Sequence, residues 1–331
     1  MTWFTDLTGF PETTPDAVRR NLTLDGEWLT SHVNGRVLAC GRLELPTLAE
    51  LRQRVASATP QPGELTLREV VADVQKLHLA PANAGALFQV ASQFNLLEMT
   101  SPTITPEAGV GLYELDHTQG PACAIATGAG TIYRNYFVPL AGHLGQTAER
   151  QLDCLADLGQ ALGNENGRLW RMQNGYALAT AAGLWEISGG LRQADDADRD
   201  ALRQRLRIGL QWQTQVTLHG CTHRVSQAYC AALPVAYTAH PPEQWEPFAR
   251  LVLEAAYEAT LCAAIWNLHA NGRHPLFLTL LGGGVFGNQT GWILDSLARA
   301  VSRYGACPLD VAIVSYGRPN PALQPLLARF A

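Results

Sequence analysis

Near its end the chain carries Gly282-Gly283-Gly284-Val285-Phe286-Gly287-Asn288, directly after the apolar run Leu276 to Leu281. Glycines at this density let the main chain take positive φ and let a ligand come close to the backbone. At the mouth of a strand, such a loop can turn amide N–H groups toward an anion, a phosphate above all. Gly282 to Gly287 satisfies G-x-G-x-x-G in letter. The dinucleotide fingerprint, however, needs a helix opening inside the glycines and an acid at the end of the next strand. Here the first cap candidate is Thr290, three residues past the last glycine, and the segment Ser315 to Asn320 has no acid. No Lys follows the glycines, so a Walker loop is excluded. The alternative for this stretch is a tight strand-to-helix turn without a ligand.

A second stretch, Ser92 to Tyr136, is polar, punctuated by glycine and partly aromatic, which is the character of a long binding loop on a rigid sheet. Its acids Glu98, Glu107 and Glu114 could each serve as the carboxylate of a hydrolytic site or be solvated surface acids, and Asp116 could bind sugar hydroxyls or activate a water. Asp116 alternatively caps the loop. Asp116 and His117, as neighbours on a strand, would point oppositely and form no dyad. Arg134, within Tyr133-Arg134-Asn135-Tyr136, offers a forked donor for a phosphate or for an internal salt bridge. Phe286 can cover a ribose or adenine, or pack in the core. His219-x-Cys221-x-His223 with Cys230 has three ligand types on alternate residues. Without a C-x-x-C partner it reads as polar loop and buried thiol, and no metal is expected.

These residues need a frame. Leu276 to Leu281 reads as a buried strand and Thr290 as the N-cap of an amphipathic helix. In that helix Ile293, Leu294, Leu297, Ala298 and Val301 face inward, and Asp295, Ser296, Arg299 and Arg303 face outward. Val311 to Val314 follows as a strand, completing a βαβ unit. Ala86 to Ala91 reads as another buried strand. Residues 1–25 read as an irregular arm, followed by a hairpin of Trp28–Val33 and Arg36–Leu45 around Asn34-Gly35. Thr47-x-x-Glu50 is a capping box opening a helix to about Ala58, and Pro60-Gln-Pro-Gly63 is a break. Thr66-x-x-Glu69 reads as a second capping box, with Val70, Val74 and Leu77 as its helix stripe. Glu149 to Leu162 reads as helical. Asn174-Gly175 separates strands Leu169–Gln173 and Tyr176–Thr180, with Leu184 to Ile187 as a third strand. Asp195, Asp196, Asp198 and Asp200 open a helix whose buried side is Leu202, Leu206 and Leu210. Arg224 to Tyr237 is strand-like. Pro241-Pro242 introduces a long helix to about Asn271, with Glu246, Arg250, Glu254 and Glu258 as an exposed stripe and Leu261 to Trp266 buried.

A strand ending in Gly-x-Gly-Val-Phe-Gly, a helix and a final Val-rich strand resembles the second phosphate-binding loop and C-terminal βαβ of macrodomains, most sharply over 245–316. The resemblance implies a three-layer α/β fold, a mixed central sheet with helices on both faces. It implies one elaborated domain over 1–331, with an N-terminal extension (1–65), a β insertion (165–190) and the C-terminal βαβ (245–316). It further implies binding of ADP-ribose, free or attached to a macromolecule, and in some members hydrolysis of an ADP-ribosyl linkage, with no cofactor. Gly282, Gly283, Gly284, Val285, Phe286, Gly287 and Asn288 would cradle the phosphates. Asn95, placed after a strand, would face the distal ribose, and Gly120-Pro121-Ala122 would stand for the family's Gly-rich stretch. The wording differs from the usual Asn-Ala-Ala-Asn and Gly-Gly-Gly-Val. Asn95, Glu98 and Asp116 are the catalytic candidates. Two other readings use the same residues: a non-catalytic scaffold that keeps the glycine loop for backbone geometry, and an enzyme acting on another nucleotide or sugar phosphate.

Composition narrows the partners. With 331 residues, 47% hydrophobic and 16% charged, there is ample material for a core. A net charge of −5 gives no strong pull toward nucleic acid or an anionic membrane. Seven cysteines without framework spacing suggest free thiols in a reducing compartment. The sequence shows neither a signal-peptide pattern nor an eighteen-residue apolar run, so a cytoplasmic protein is expected.

Overall fold

The computed structural model describes residues 2–59, 61–272 and 274–330; Pro60, part of the expected break, lies outside them. The N-terminal arm is ordered. Thr2 and Thr14 cap helices α1 (Trp3–Thr8) and α2 (Pro15–Asn21), accepting hydrogen bonds from the amides of Thr5 and Ala17. The Thr and Pro residues read as irregular are therefore caps, with Pro15 in the first helical turn. Strands β1 (Leu22–Asp25), β2 (Trp28–Ser31) and β3 (Val37–Ala39) form an antiparallel sheet, with Asn34-Gly35 in the expected turn. The second arm of that hairpin divides at Gly41 (φ +73°), and β4 (Arg42–Glu44) joins the main sheet instead.

Helix α3 (Leu48–Ser57) starts at the Thr47/Glu50 capping box as expected. The second such motif behaves differently. Thr66 to Val71 is β5, a strand, pairing with the last strand of the sheet, and Arg68 bonds Asp310 across that pair. Capping-box spacing lost there to a stretch with Thr66, Val70 and Val71 as β-branched residues and a partner edge to dock on. Helix α4 (Val74–Leu79) begins after it, capped by Asp73. Strand β6 (Leu87–Ser92) is followed by an extended turn and then by α5 (Gln119–Ala126) and α6 (Gly128–Tyr136), so the second half of the expected long loop is helical. The small pair β7 (Pro139–Leu140) and β8 (His143–Leu144) precedes α7 (Ala156–Leu162), which is shorter than the helix expected from Glu149.

Strands β9 (Trp170–Gln173) and β10 (Tyr176–Ala179) form the second hairpin. Leu184 to Ile187 is no third strand; it lies in α8 (Ala181–Gln193), capped by Thr180, where Leu184, Ile187 and Leu191 bury one face at helical spacing. Helix α9 (Asp196–Arg203) stops before Leu206, so Leu206 and Leu210 are buried from a turn and from β11 (Gly209–Gln215). Then come β12 (Arg224–Ala231), the long α10 (Pro242–Asn271), β13 (Leu276–Leu278), α11 (Thr290–Tyr304), β14 (Asp310–Ser315) and α12 (Gln324–Arg329). Thr290 is the first helical residue rather than the cap, and Ser296 is buried, bonding Trp292 O.

The main sheet runs β4-β11-β12-β6-β13-β14-β5. The pairs β4–β11 and β11–β12 are antiparallel and the other four are parallel. Side-chain alternation along β6 fixes the layers. Gln89 bonds Thr260 of α10, whereas Phe88 stacks on His78 of α4. Helices therefore cover both faces, and the expected three-layer mixed α/β architecture is present. The N-terminal helices and β1 to β3 pack a second core against α5, α6 and the turn after β6.

Glu258, expected on an exposed stripe of α10, is completely buried. It accepts Arg52 Nε at 2.6 Å, Arg299 Nη1 at 2.7 Å and Arg303 Nε at 3.0 Å, tying α3 and α11 to α10. Burial works against its charge, but the hydrogen bonds from Arg52 and Arg299 outweigh it and hold the carboxyl below the usual glutamate value. Removing one partner of such a group leaves buried charge uncompensated. Glu258→Ala is expected to cost about 3–5 kcal/mol of stability in urea unfolding; a loss under about 1 kcal/mol would place the cluster among weak surface pairs.

Candidate functional site

Parallel strands β12, β6 and β13 point their carboxyl ends at one cavity of about 220 Å³, the position where open α/β sheets bind ligands. Its walls come from four places. The turn after β13 gives Gly282, Gly284, Val285 and Phe286; the start of α5 gives Thr118 to Pro121; the turn after β6 gives Gln93 and Glu98 to Thr100; Tyr176 and Tyr237 close one side. Asp116, Thr118, Gln119 and Thr279 also line a larger adjoining cavity of about 680 Å³, whose walls include Asp73, Gln75 and Tyr316.

The glycine loop divides by task. A side chain at Gly282 (φ +73°) would collide with Ala232 and Asn288, and one at Gly287 (φ +72°) with Ala236, so both positions require glycine for the turn. The amides of Gly283, Gly287 and Asn288 bond to Leu280, Gly284 and Gly282 carbonyls. Asn288 Nδ2 bonds Leu233 O at 2.8 Å. Gly283, Gly287 and Asn288 thus build the loop and do not line the cavity. The amides of Gly282, Gly284, Val285 and Phe286 have no acceptor among the described residues. Phe286 joins an aromatic wall, with ring centroids 5.4 Å from Tyr176 and 5.5 Å from Tyr237.

Gly120, Pro121 and Ala122 lie in the first turn of α5, not in a loop. The helix is docked on β6 by Gln119, whose side chain takes the Ala91 amide at 2.9 Å and gives to Gln89 O at 2.8 Å, as a neighbouring strand would. At Gly120 any side chain would collide with Ala91 O and the Glu98 carboxylate. The amides of Gln119 and Gly120 have no acceptor among the described residues, while that of Ala122 bonds Thr118 O. Unpaired N–H groups at a helix start carry partial positive charge. Ala122 faces the adjoining cavity.

Glu98 is 4% exposed and lines the cavity. Its amide donates to Tyr113 Oη at 3.0 Å, which fixes its backbone. Its Oε1 is sealed without a hydrogen-bond partner among the described residues. Burial pushes this carboxyl well above the ordinary value; Arg134 pulls it back, and Asp116 adds to the rise. Asp116 is half-buried and caps Thr118 N through Oδ1 at 2.9 Å.

Arg134 and Asn95 stand elsewhere than expected. Arg134 is fully buried behind Glu98, bonding Leu96 O and Thr131 Oγ1 and lying 3.7 Å over the Tyr229 ring. It has no face on the cavity; its helix turns it into the core. Asn95 is buried off the cavity, accepting the Leu97 amide and donating to Gln151, so it shapes the turn at Leu96 (φ +63°) that leads to Glu98. Glu107 Oε1 accepts the Ala148 amide, and Glu114 Oε2 accepts that of Trp3. His219, Cys221, His223 and Cys230 do not converge. His223 bonds His78 O and Cys230 contacts Thr260, and no metal-holding group occurs among the described residues. Sequence reading missed Gln93, Gln119, Tyr176 and Tyr237, which reach the cavity only through tertiary packing.

The raised carboxyl has a consequence for stability. Its folded-state value lies above the unfolded value near 4.5, so the folded chain holds the extra proton and stability falls as pH rises between the two. Glu98→Gln is expected to raise the thermal midpoint at pH 7 to 8, with the gain vanishing below about pH 4. An equal gain at every pH would show that Glu98 ionises normally.

No family model and no curated protein matches this chain. Among solved structures, it is similar to poly(ADP-ribose) glycohydrolase from Thermomonospora curvata, with 16% identity, 96% of each chain covered and a TM-score of 0.45. It is also similar to the Deinococcus radiodurans poly(ADP-ribose) glycohydrolase in complex with ADP-ribose, with 12% identity, 87% of this chain and 92% of that chain covered, and a TM-score of 0.42.

Proposed function

We propose that this protein binds ADP-ribose or a closely related diphosphate nucleotide and hydrolyses an ADP-ribosyl linkage, with Glu98 as the acid. One observation carries the reading. Unpaired amides from two separate segments, Gly282 with Gly284 to Phe286 and Gln119 with Gly120, border the cavity that holds a sealed carboxyl. Neither cavity has a Lys or Arg among its lining residues. A diphosphate there is held by main-chain dipoles and the α5 terminus, a site type that needs no cation. The aromatic wall covers a ribose face, and the adjoining cavity has room for the far end of the ligand. The macrodomain resemblance of the glycine loop supplies the nucleotide's identity.

In this mechanism neutral Glu98 gives its proton to the leaving oxygen as the bond from the anomeric carbon breaks. Water adds to that carbon and passes a proton to Asp116, which returns it to solvent. Glu98 is reprotonated from solvent for the next turnover. Its poor hydration holds its proton more tightly than a free glutamate would.

Calorimetry with ADP-ribose, ADP and ribose 5-phosphate tests the ligand. Tightest binding of ADP-ribose is expected; no heat at about millimolar ligand would end the reading, and a preference for another phosphate would reassign the substrate. Gly284→Val separates site from scaffold. A side chain at Gly284 meets open space in the cavity, so the fold should keep its thermal midpoint while ADP-ribose binding is lost. Loss of stability with no ADP-ribose binding to lose favours the scaffold. Glu98→Gln should lower release of ADP-ribose from a modified protein by about 10²–10⁴-fold, with affinity for ADP-ribose nearly unchanged.

A further inference from the structure

We propose that Glu12, in the N-terminal arm, is a positioning residue that sets Glu98 and Asp116 by acting as a built-in anion under the turn between them. The proposal rests on the reading of Glu98 as the acid, and it concerns a residue that lines neither cavity.

Glu12 connects α1 and α2 and reaches across to the segment Gly109-Val110-Gly111. Its Oε1 accepts the Val110 amide at 3.0 Å and the Tyr136 hydroxyl at 2.7 Å, and its Oε2 accepts the Gly111 amide at 2.6 Å. Successive amides closing on one carboxylate form a nest. The two glycines are required by it. A side chain at Gly109 or Gly111 would come within 2.6 or 2.8 Å of Glu12 Oε2, and Gly109 also has φ +89°. Trp3 reinforces the same turn, donating Nε1–H to Val110 O at 3.0 Å and its amide to Glu114 Oε2 at 3.0 Å.

The nest leads directly to the acids. Gly111 opens the 3₁₀ turn Gly111–Leu115, which holds Tyr113 fully buried. The Tyr113 hydroxyl accepts the Glu98 amide, and its carbonyl accepts the Asp116 amide at 3.1 Å. One residue of this turn therefore fixes the backbone of both carboxylates from opposite ends. The side chain of Glu98 has no such tether of its own, since its Oε1 lacks a partner among the described residues. Its placement depends on the backbone, and the backbone depends on the nest.

Glu12→Ala leaves the nest amides and Tyr136 facing a hole the size of a small carboxylate. The expected result is a fall in kcat of about 10²-fold, the cost of misplacing a reacting group by about 1 Å. KM should change much less, because the amides that hold phosphate belong to other segments. Formate at high concentration should refill the nest and restore most of the rate, while chloride at equal ionic strength should not. Glu12→Gln, which keeps an acceptor for Val110 and Tyr136 but turns an amide toward Gly111, should fall between. Hydrogen exchange read without substrate gives an independent measure: Glu98 and residues 109–116 should exchange faster in Glu12→Ala, recover in formate, and leave α10 unchanged. Unchanged kcat with unchanged exchange overturns the proposal. So does faster exchange throughout the chain with no formate rescue, which marks Glu12 as a general stabiliser. If wild type releases no ADP-ribose but the local exchange responds as described, the clamp stands and the functional reading fails instead.

Discussion

The close approach of α5 to β6 is the constraint on which the site depends. Gln119 substitutes for a missing strand against Gln89 and Ala91, and Gly120 lets the helix start touch the strand backbone. That contact has three effects at once. It aims the unpaired amides of α5 at the carboxyl ends of the parallel strands, it brings the helix start against Glu98 Oε2, and it leaves a gap against the glycine loop. A side chain at Gly120 would open all three. The energetic cost is a poorly solvated carboxyl, whose proton affinity is raised by burial and which has no hydrogen-bonded cation among the described residues.

Charge is handled in opposite ways on the two faces of the sheet. Behind α10, Glu258 is buried and ionised because three arginines and Tyr304 surround it. At the cavity, Glu98 is buried with Arg134 acting on it only through space and against the opposing charge of Asp116, since the hydrogen bonds of Arg134 go to Leu96 and Thr131. The first arrangement fixes helices to one another. The second preserves a group that can lose and regain a proton, and divergent proton affinities of this kind are what acid–base chemistry requires.

Local signals in the sequence located much of this frame. The Thr47/Glu50 box, the Asn34-Gly35 and Asn174-Gly175 turns, the βαβ around Gly282 and the bounds of α10 each rest on chemistry confined to a few neighbouring residues. Failures came where a distant partner decided the outcome. Thr66 to Val71 became a strand because β14 offered an edge. Ser92 to Tyr136 reads as loop since Gly120 and Gly128 resemble breaks, yet they are close-packing positions against β6 and Trp3. Glu258 shows a surface spacing but meets arginines from two other helices. Of the residues singled out in the sequence, part of the glycine loop and Glu98 line the candidate cavity, whereas Asn95 and Arg134, expected there as well, support the turn behind Glu98. Tyr176 and Tyr237 lay in a hairpin and a short turn with no local mark of their role.

The central claim is that a diphosphate is held by bare main-chain amides between the glycine loop and the start of α5. A crystal structure with ADP-ribose tests it most directly. The account predicts phosphate oxygens within hydrogen-bond distance of the amides of Gly284 to Phe286 or Gly120, with the distal ribose against Glu98. Nucleotide density elsewhere on the molecule, or an empty cavity in crystals saturated with ligand, would contradict it.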